Sequence, residues 1–207
     1  KLENETSTVF EDSPTINVET EVSKTLQKVE HPSPMLSLSK TKRVDDLVNF
    51  VGDNKAILSW KLDGLTIVLT YKNGKLFSGV TRGNGIVGEV VTENVKQFKN
   101  IPLTIPYKKE LTIRGEAIIK YSDFNKMNDE INDEDLQYKN PRNLCSGSVR
   151  QLDSKVTAQR NVNIIIFNLV RCEDNISNSK EEEFKWLESL GFEVVERTIV
   201  DKNNIEN

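Results

Sequence analysis

The 207-residue chain has one histidine, two cysteines and no apolar run near the roughly 18 residues that a membrane-crossing helix needs. Each shortage removes a class of function. With His31 as the single histidine, histidine-rich zinc sites are excluded and any Ser-His-Asp triad would rest on that one residue, which reads as a loop histidine. Cys145 and Cys172 have neither the close spacing of a metal knuckle nor the density of a secreted disulfide scaffold. They read as reduced, structural thiols of a cytoplasmic protein. No signal-peptide pattern opens the chain and no methionine starts it, so a soluble fragment without a membrane partner is expected. An excess of positive charge is also missing. The formal net charge is -4, so any phosphate binding must come from a local concentration of basic residues.

Such a concentration exists. Between Gln137 and Leu152 stand Lys139, Arg142 and Arg150 with no acidic side chain among them, although by charge alone this is equally a solvated face. Residues 1–34 are rich in Glu, Thr, Ser and Asn, and Pro14, Pro32 and Pro34 disfavour long regular elements, so this stretch reads as a linker or wrapping arm. The main domain is expected over 35–207. Val44, Leu47, Val48 and Val51 recur at helical spacing before a Gly52-Asp53-Asn54 stop. Strand patterns cover 56–60, 66–71 and 76–80, the last two joined by an Asn73-Gly74 hairpin turn. A further strand is predicted over 111–119, and a helix from Ser122 covering Phe124, Met127 and Ile131. A buried strand follows over 164–170, then a helix from Ser179 through Leu190 with Gly191 as its stop. Hairpins in place of regular βαβ units make the class α+β.

Lys61-Leu62-Asp63-Gly64 lies between two predicted strands, with a carboxylate two residues beyond the lysine, where the side-chain direction repeats. A lysine attacks a phosphate ester only as the neutral amine, and a strand end beside a bound phosphate is a place to put it. By itself the pattern is also that of a hairpin turn with a surface lysine. Three further clusters follow. Thr81-Arg82-Gly83-Asn84-Gly85 brackets an arginine with glycines, which suits the approach of backbone N–H groups and a guanidinium to a phosphate. Ile113-Arg114-Gly115-Glu116 ends a strand with a carboxylate able to hold ribose hydroxyls or a hydrated metal ion. Asn140-Pro141-Arg142-Asn143 leads through Ser146-Gly147-Ser148 to Arg150-Gln151-Leu152 within the acid-free stretch.

In this order, K-L-D-G, T-R-G-N-G, R-G-E and N-P-R-N followed by G-S-V-R-Q-L-D closely resemble the NAD-dependent DNA ligases of bacteria. The resemblance extends upstream to Asp12-Ser13-Pro14-Thr15 and Pro34-Met35-Leu36-Ser37-Leu38, so it covers nearly the whole chain. It implies a nucleotidyltransferase fold, with two antiparallel sheets flanked by helices and the nucleotide between them, over a partial adenylation domain. It implies three steps: Lys61 takes AMP from NAD with release of nicotinamide mononucleotide, AMP passes to the 5'-phosphate at a nick, and the 3'-hydroxyl displaces it. On the matching positions, Lys61 and Asp63 are the catalytic pair. Ser37, Leu38, Lys61, Arg82, Glu116 and Phe167 hold NAD, and Arg142 and Arg150 meet phosphates of cofactor or DNA. Asp63 and Glu116 are the implied Mg²⁺ carboxylates. Phe167 would stack on adenine, although a core phenylalanine is as good a reading from the strand alone. The implied partner is nicked duplex DNA, bound by a monomer.

The chain departs from the family pattern in three places. Ser59 replaces a usual glutamate and Asn84 a usual aspartate, and Leu144-Cys145-Ser146 replaces an alanine-rich turn. The family's segment that grips nicotinamide mononucleotide precedes Lys1, and its later nucleotide-pocket motifs follow Asn207. The chain alone is therefore expected neither to seal nicks nor to form lysyl-AMP efficiently. Two readings stay open: an incomplete adenylation domain of a ligase, or a degenerate module that binds nucleotide or DNA ends without catalysis. An ATP-dependent RNA ligase or capping relative fits K-x-D-G but leaves the N-P-R-N stretch unexplained.

Overall fold

Asn73 and Gly74 both take positive φ, 54° and 77°, and join β3 (Leu65–Lys72) to β4 (Lys75–Thr81) in the tight antiparallel hairpin their sequence predicts. The computed structural model of the protein describes residues 25–32, 34–35 and 39–205. Earlier in the chain come β1 (Lys28–Glu30), helix α1 (Val44–Val51) and β2 (Ala56–Ser59). After the hairpin follow β5 (Val87–Glu89), α2 (Thr92–Val95), β6 (Leu111–Ile118), α3 (Tyr121–Asp129) and α4 (Pro141–Val149). Then come α5 (Ser154–Ala158), β7 (Asn163–Cys172), α6 (Lys180–Ser189) and β8 (Arg197–Val200).

The main sheet has the order β4-β3-β6-β7, each neighbour antiparallel. Period-two alternation divides it into two faces. Ile67, Leu69 and Tyr71 of β3 and Leu111, Ile113 and Ala117 of β6 are buried, and they join one core cluster with Leu144, Cys145 and Val149 of α4 and Phe184 and Leu187 of α6. Tyr71 meets the Phe192 ring edge-on at 5.4 Å, and its hydroxyl donates to Pro102 O at 2.7 Å, so the largest buried side chain has its polar end satisfied. The opposite face carries the intervening residues, and the register sets Thr66 across from Glu116 and Val68 across from Arg114. This second face holds the chemistry-bearing side chains.

Two small antiparallel ribbons complete the sheets: β1 with β5, and β2 with β8. Strand β2 therefore does not pair with β3, and the connection through Lys61 passes from one sheet to another, which excludes the hairpin-turn reading of that segment. Residues 28–30 of the expected arm are strand, paired with 87–89. Strands β1, β5 and β8 and the short helices α2 and α5 have too few residues to show a period in sequence. Helix α3 stops at Asp129, so Ile131 lies beyond the helix predicted to include it. Among the described residues no helix is long and apolar enough to cross a membrane.

Candidate active site

Gly64 is buried where the chain enters β3, and a Cβ there would stand 2.0 Å from Ala117 O, so only glycine lets the backbone lie this close to β6. That approach brings the Gly64 N–H to 3.0 Å from Glu116 Oε1, to which it donates. Two residues on, and therefore on the same face, the Thr66 hydroxyl donates to Glu116 Oε2 at 2.7 Å. The carboxylate is thus held by a donor on each oxygen. Burial pushes its pKa above the usual carboxylate value, and the Thr66 and Gly64 hydrogen bonds and the charges of Lys61 and Arg142 oppose that push. The exposed Lys61 and Arg142 are thereby both within electrostatic reach of Glu116.

Arg142 comes to this place through the cap of α4. Asn140 is the N-cap, its side-chain oxygen accepting from Asn143 N at 2.8 Å, and Pro141 opens the helix. Arg142 in the first turn then donates from Nη1 to Asp63 Oδ1 at 2.8 Å. One helical turn after Pro141, Cys145 is fully buried, and burial followed by the charge of Glu116 pushes its thiol up to about 12. Helix α4 therefore lies against both Asp63 and Glu116. Its later turns are fixed by buried hydroxyls: Ser148 Oγ donates to Leu144 O at 2.7 Å and Thr157 Oγ1 to Ser148 O at 2.7 Å.

The T-R-G-N-G loop is built differently from what its spelling suggests. Gly83 has φ 55° and no room for a Cβ, which would fall 1.9 Å from Val87 O. Asn84 Oδ1 accepts from Ile86 N at 2.9 Å and Val87 N at 2.8 Å, so its amide oxygen closes the loop and no carboxylate is required for that role. His31 Nε2 lies 3.1 Å from Thr81 O and 3.2 Å from Arg82 O, and Arg82 Nη2 donates to Met35 O at 3.2 Å. His31 is thus a clamp between the upstream segment and the loop. Arg114 shares the Glu116 face. Burial and the charge of Arg82 lower its pKa, and its buried Nε has no hydrogen-bond partner among the described residues.

Residues 23–207 match the NAD-dependent DNA ligase adenylation domain. The chain belongs to that family. It is similar to a DNA ligase of Lachnoclostridium phytofermentans, 57% identical over 206 residues, which cover 99% of this chain and 32% of that protein. A DNA ligase of Ruminiclostridium cellulolyticum is 53% identical over all of this chain and 32% of its own length. One of Clostridioides difficile is 41% identical over 88% of the chain and 28% of its own length. The chain spans about a third of the length of the relatives it matches.

Within this adenylation-domain chain, the residues singled out from sequence fall into separate groups. Lys61, Asp63, Glu116 and Arg142 gather around the start of β3. Arg82 stands by Arg114, which is about 7 Å before Glu116 along β6. Arg150 caps the end of α4 and pairs with Glu89 of β5 at 2.9 Å, not with a member of the first group. Phe167 is the unopposed residue of a β7 bulge, since Arg114 faces Asn168 and Gly115 faces Ile166, and it packs half-buried against the core. Ser37 and Leu38 lie outside the described residues. Ser59 is across from Arg197, whose guanidinium is taken by Glu181 and Glu188. The sequence reading missed Thr66, although simple alternation from Glu116's partner strand places its hydroxyl on the right face.

Proposed function

We propose that this chain is the AMP-accepting part of an NAD-dependent DNA ligase. The observation that supports the reading best is the convergence of Lys61, Asp63, Glu116 and Arg142 from three motifs spread over 82 positions of sequence onto one end of the main sheet. The Lys61 amine, having lost its proton, attacks the α-phosphorus of NAD. A nitrogen–phosphorus bond forms, the bond to the bridging oxygen breaks, and nicotinamide mononucleotide leaves with that electron pair. In the ligase as a whole the AMP then passes to a 5'-phosphate at a nick, and the neighbouring 3'-hydroxyl displaces it. Because the transferred group needs positioning and charge stabilisation more than covalent help, the arginines carry much of the work.

Arg82 and Glu116 hold the phosphate or ribose of NAD, and Arg142 and Arg150, the latter released from Glu89, meet phosphates of cofactor or DNA. Phe167, at the sheet bulge, stacks against adenine. Asp63 and Glu116 are the carboxylates available to Mg²⁺. An ion held by one or two carboxylates takes its remaining ligands from substrate oxygens and water. Its contribution when bound is to neutralise developing phosphate charge. The parent protein is read as a monomeric, cytoplasmic enzyme that acts on nicked duplex DNA, with residues 28–30, paired to 87–89, joined to the domain that follows them.

Intact-mass measurement tests the reading on this chain and on a protein extended to the length of its relatives, each given NAD and Mg²⁺. An AMP adduct on the extended protein, lost in Lys61→Ala, is expected. Labelling by ATP but not NAD, or no adduct on either folded protein, would overturn it; the second outcome favours the non-catalytic binding module.

A further inference from the structure

Glu116 has one oxygen held by Gly64, just before β3, and the other by Thr66 within it, and only one of those donors is a side chain. The backbone N–H of Gly64 is present whatever residue stands there. The Thr66 hydroxyl, 2.7 Å from Oε2, is a choice made by the sequence. Without it, the Gly64 N–H on Oε1 would be the one remaining bond described for the carboxylate, within electrostatic reach of Lys61 and Arg142. A carboxylate paired to Lys61 or Arg142 would occupy the groups that the nucleotide needs. Gly64 and Thr66 together place one donor on each carboxylate oxygen, which restricts the rotation of the group.

We propose that Thr66 is a positioning residue for adenylyl transfer, its hydroxyl fixing Glu116 in the orientation that receives the nucleotide. This rests on the reading of the chain as the AMP-accepting part of a ligase. Its side chain suits the role in two ways. Threonine is β-branched and stays in the strand conformation without strain, and its Oγ1 is carried directly across from Glu116 by the β3–β6 register. Valine has the same shape without the donor, and serine has the donor without the branch, so the two substitutions separate hydrogen bonding from packing.

The test uses the ligase-length protein as wild type, Thr66→Val and Thr66→Ser, with single-turnover labelling of Lys61 across a range of NAD concentrations. Thr66→Val should raise the half-saturating NAD concentration about tenfold, the scale of losing one hydrogen bond to a charged acceptor, and by more than it lowers the limiting rate. Thr66→Ser should return most of that loss. In parallel, the Glu116 side-chain carboxyl ¹³C signal of the 207-residue chain should move in Thr66→Val and return in Thr66→Ser. If wild type is not labelled, the ligase reading falls, and the carboxyl signal alone decides whether Thr66 orients Glu116. If wild type is labelled and Thr66→Val labels with unchanged half-saturation, the positioning role is overturned whatever the carboxyl signal does.

Discussion

Arg142 Nη1 and Asp63 Oδ1 lie 2.8 Å apart although 79 positions separate the two residues in sequence. Both side chains are largely exposed, so the pair adds little to stability. Exposed pairs of this kind contribute from nothing to about 1 kcal/mol. Its position at the first turn of α4, beside the K-x-D-G segment, makes it a contact that a phosphate can compete for.

Arg142→Ala should therefore leave the unfolding free energy within about 1 kcal/mol of wild type while lowering the rate of Lys61 labelling by about a hundredfold, the cost of one lost donor to a developing phosphate charge. Arg142→Lys should recover only part of the rate, because a point charge does not reproduce the planar fork. Urea unfolding and single-turnover labelling of the ligase-length protein measure the two effects separately. A large loss of stability with little change in rate would assign the residue a structural role.

Gly64→Ala should unfold the site from within. The added methyl meets Ala117 O at 2.0 Å, and because the obstacle is backbone, the β3–β6 pairing must shift to admit it. A destabilisation of about 3 kcal/mol is expected, the upper end for overpacking, together with loss of the Gly64 N–H bond to Glu116. Chemical denaturation of the chain itself checks this, and a stability equal to wild type would contradict the close approach.

Glu116→Gln should be more stable than wild type at pH 7 and lose its function. Burial raises the folded carboxyl pKa above its unfolded value, so the folded state binds the proton more tightly than the unfolded chain does. Sign follows from that difference. The wild type gains stability as pH falls through the folded pKa toward the unfolded one, and the charged form is the less favourable one above both. The advantage of Glu116→Gln should accordingly shrink as the pH falls from 7 toward 4.5, the unfolded value. Melting temperatures of the two proteins across that range decide it; a variant less stable than wild type at pH 7 would sink the idea.

The two thiols should differ in reactivity. Cys145 is fully buried with its pKa pushed up to about 12, so at pH 8 it is neutral and shielded. Cys172 is only half-buried, and its thiol donates to Asp174 O at 2.8 Å. Iodoacetamide should modify Cys172 slowly in the folded chain and Cys145 only after unfolding, as read by peptide mass. Equal labelling of both in the folded protein would mean that α4 does not seat against the core as described.

Much of the local structure is legible in the residues themselves. Asn73-Gly74 specifies its turn because few other pairs accept positive φ twice in succession, and the alternation of β3 and β6 marks one buried face because the side-chain period of a strand is two. The spacing of Val44, Leu47, Val48 and Val51 specifies α1. The four motifs likewise mark where chemistry-bearing residues stand, and the family match over residues 23–207 agrees with the resemblance they carry.

Partnership is what the sequence does not contain. Nothing local tells β2 to pair with β8, whose partner residues lie 138 to 144 positions later, instead of with β3, because strand pairing depends on which backbone edges meet after the core has formed. Asn84 reads as a lost charge, and only the folded loop shows its side chain closing its own turn; the pairing of Arg150 with Glu89 is likewise absent from the local sequence. Thr66 has no motif to announce it. Its hydroxyl reaches Glu116 only because a glycine with no side chain lets two strands approach, and that distance is a property of the folded sheet. Residue types and periodicity, which are short-range, were set by the sequence alone; the long-range contacts that turn separate motifs into one site were decided by tertiary packing.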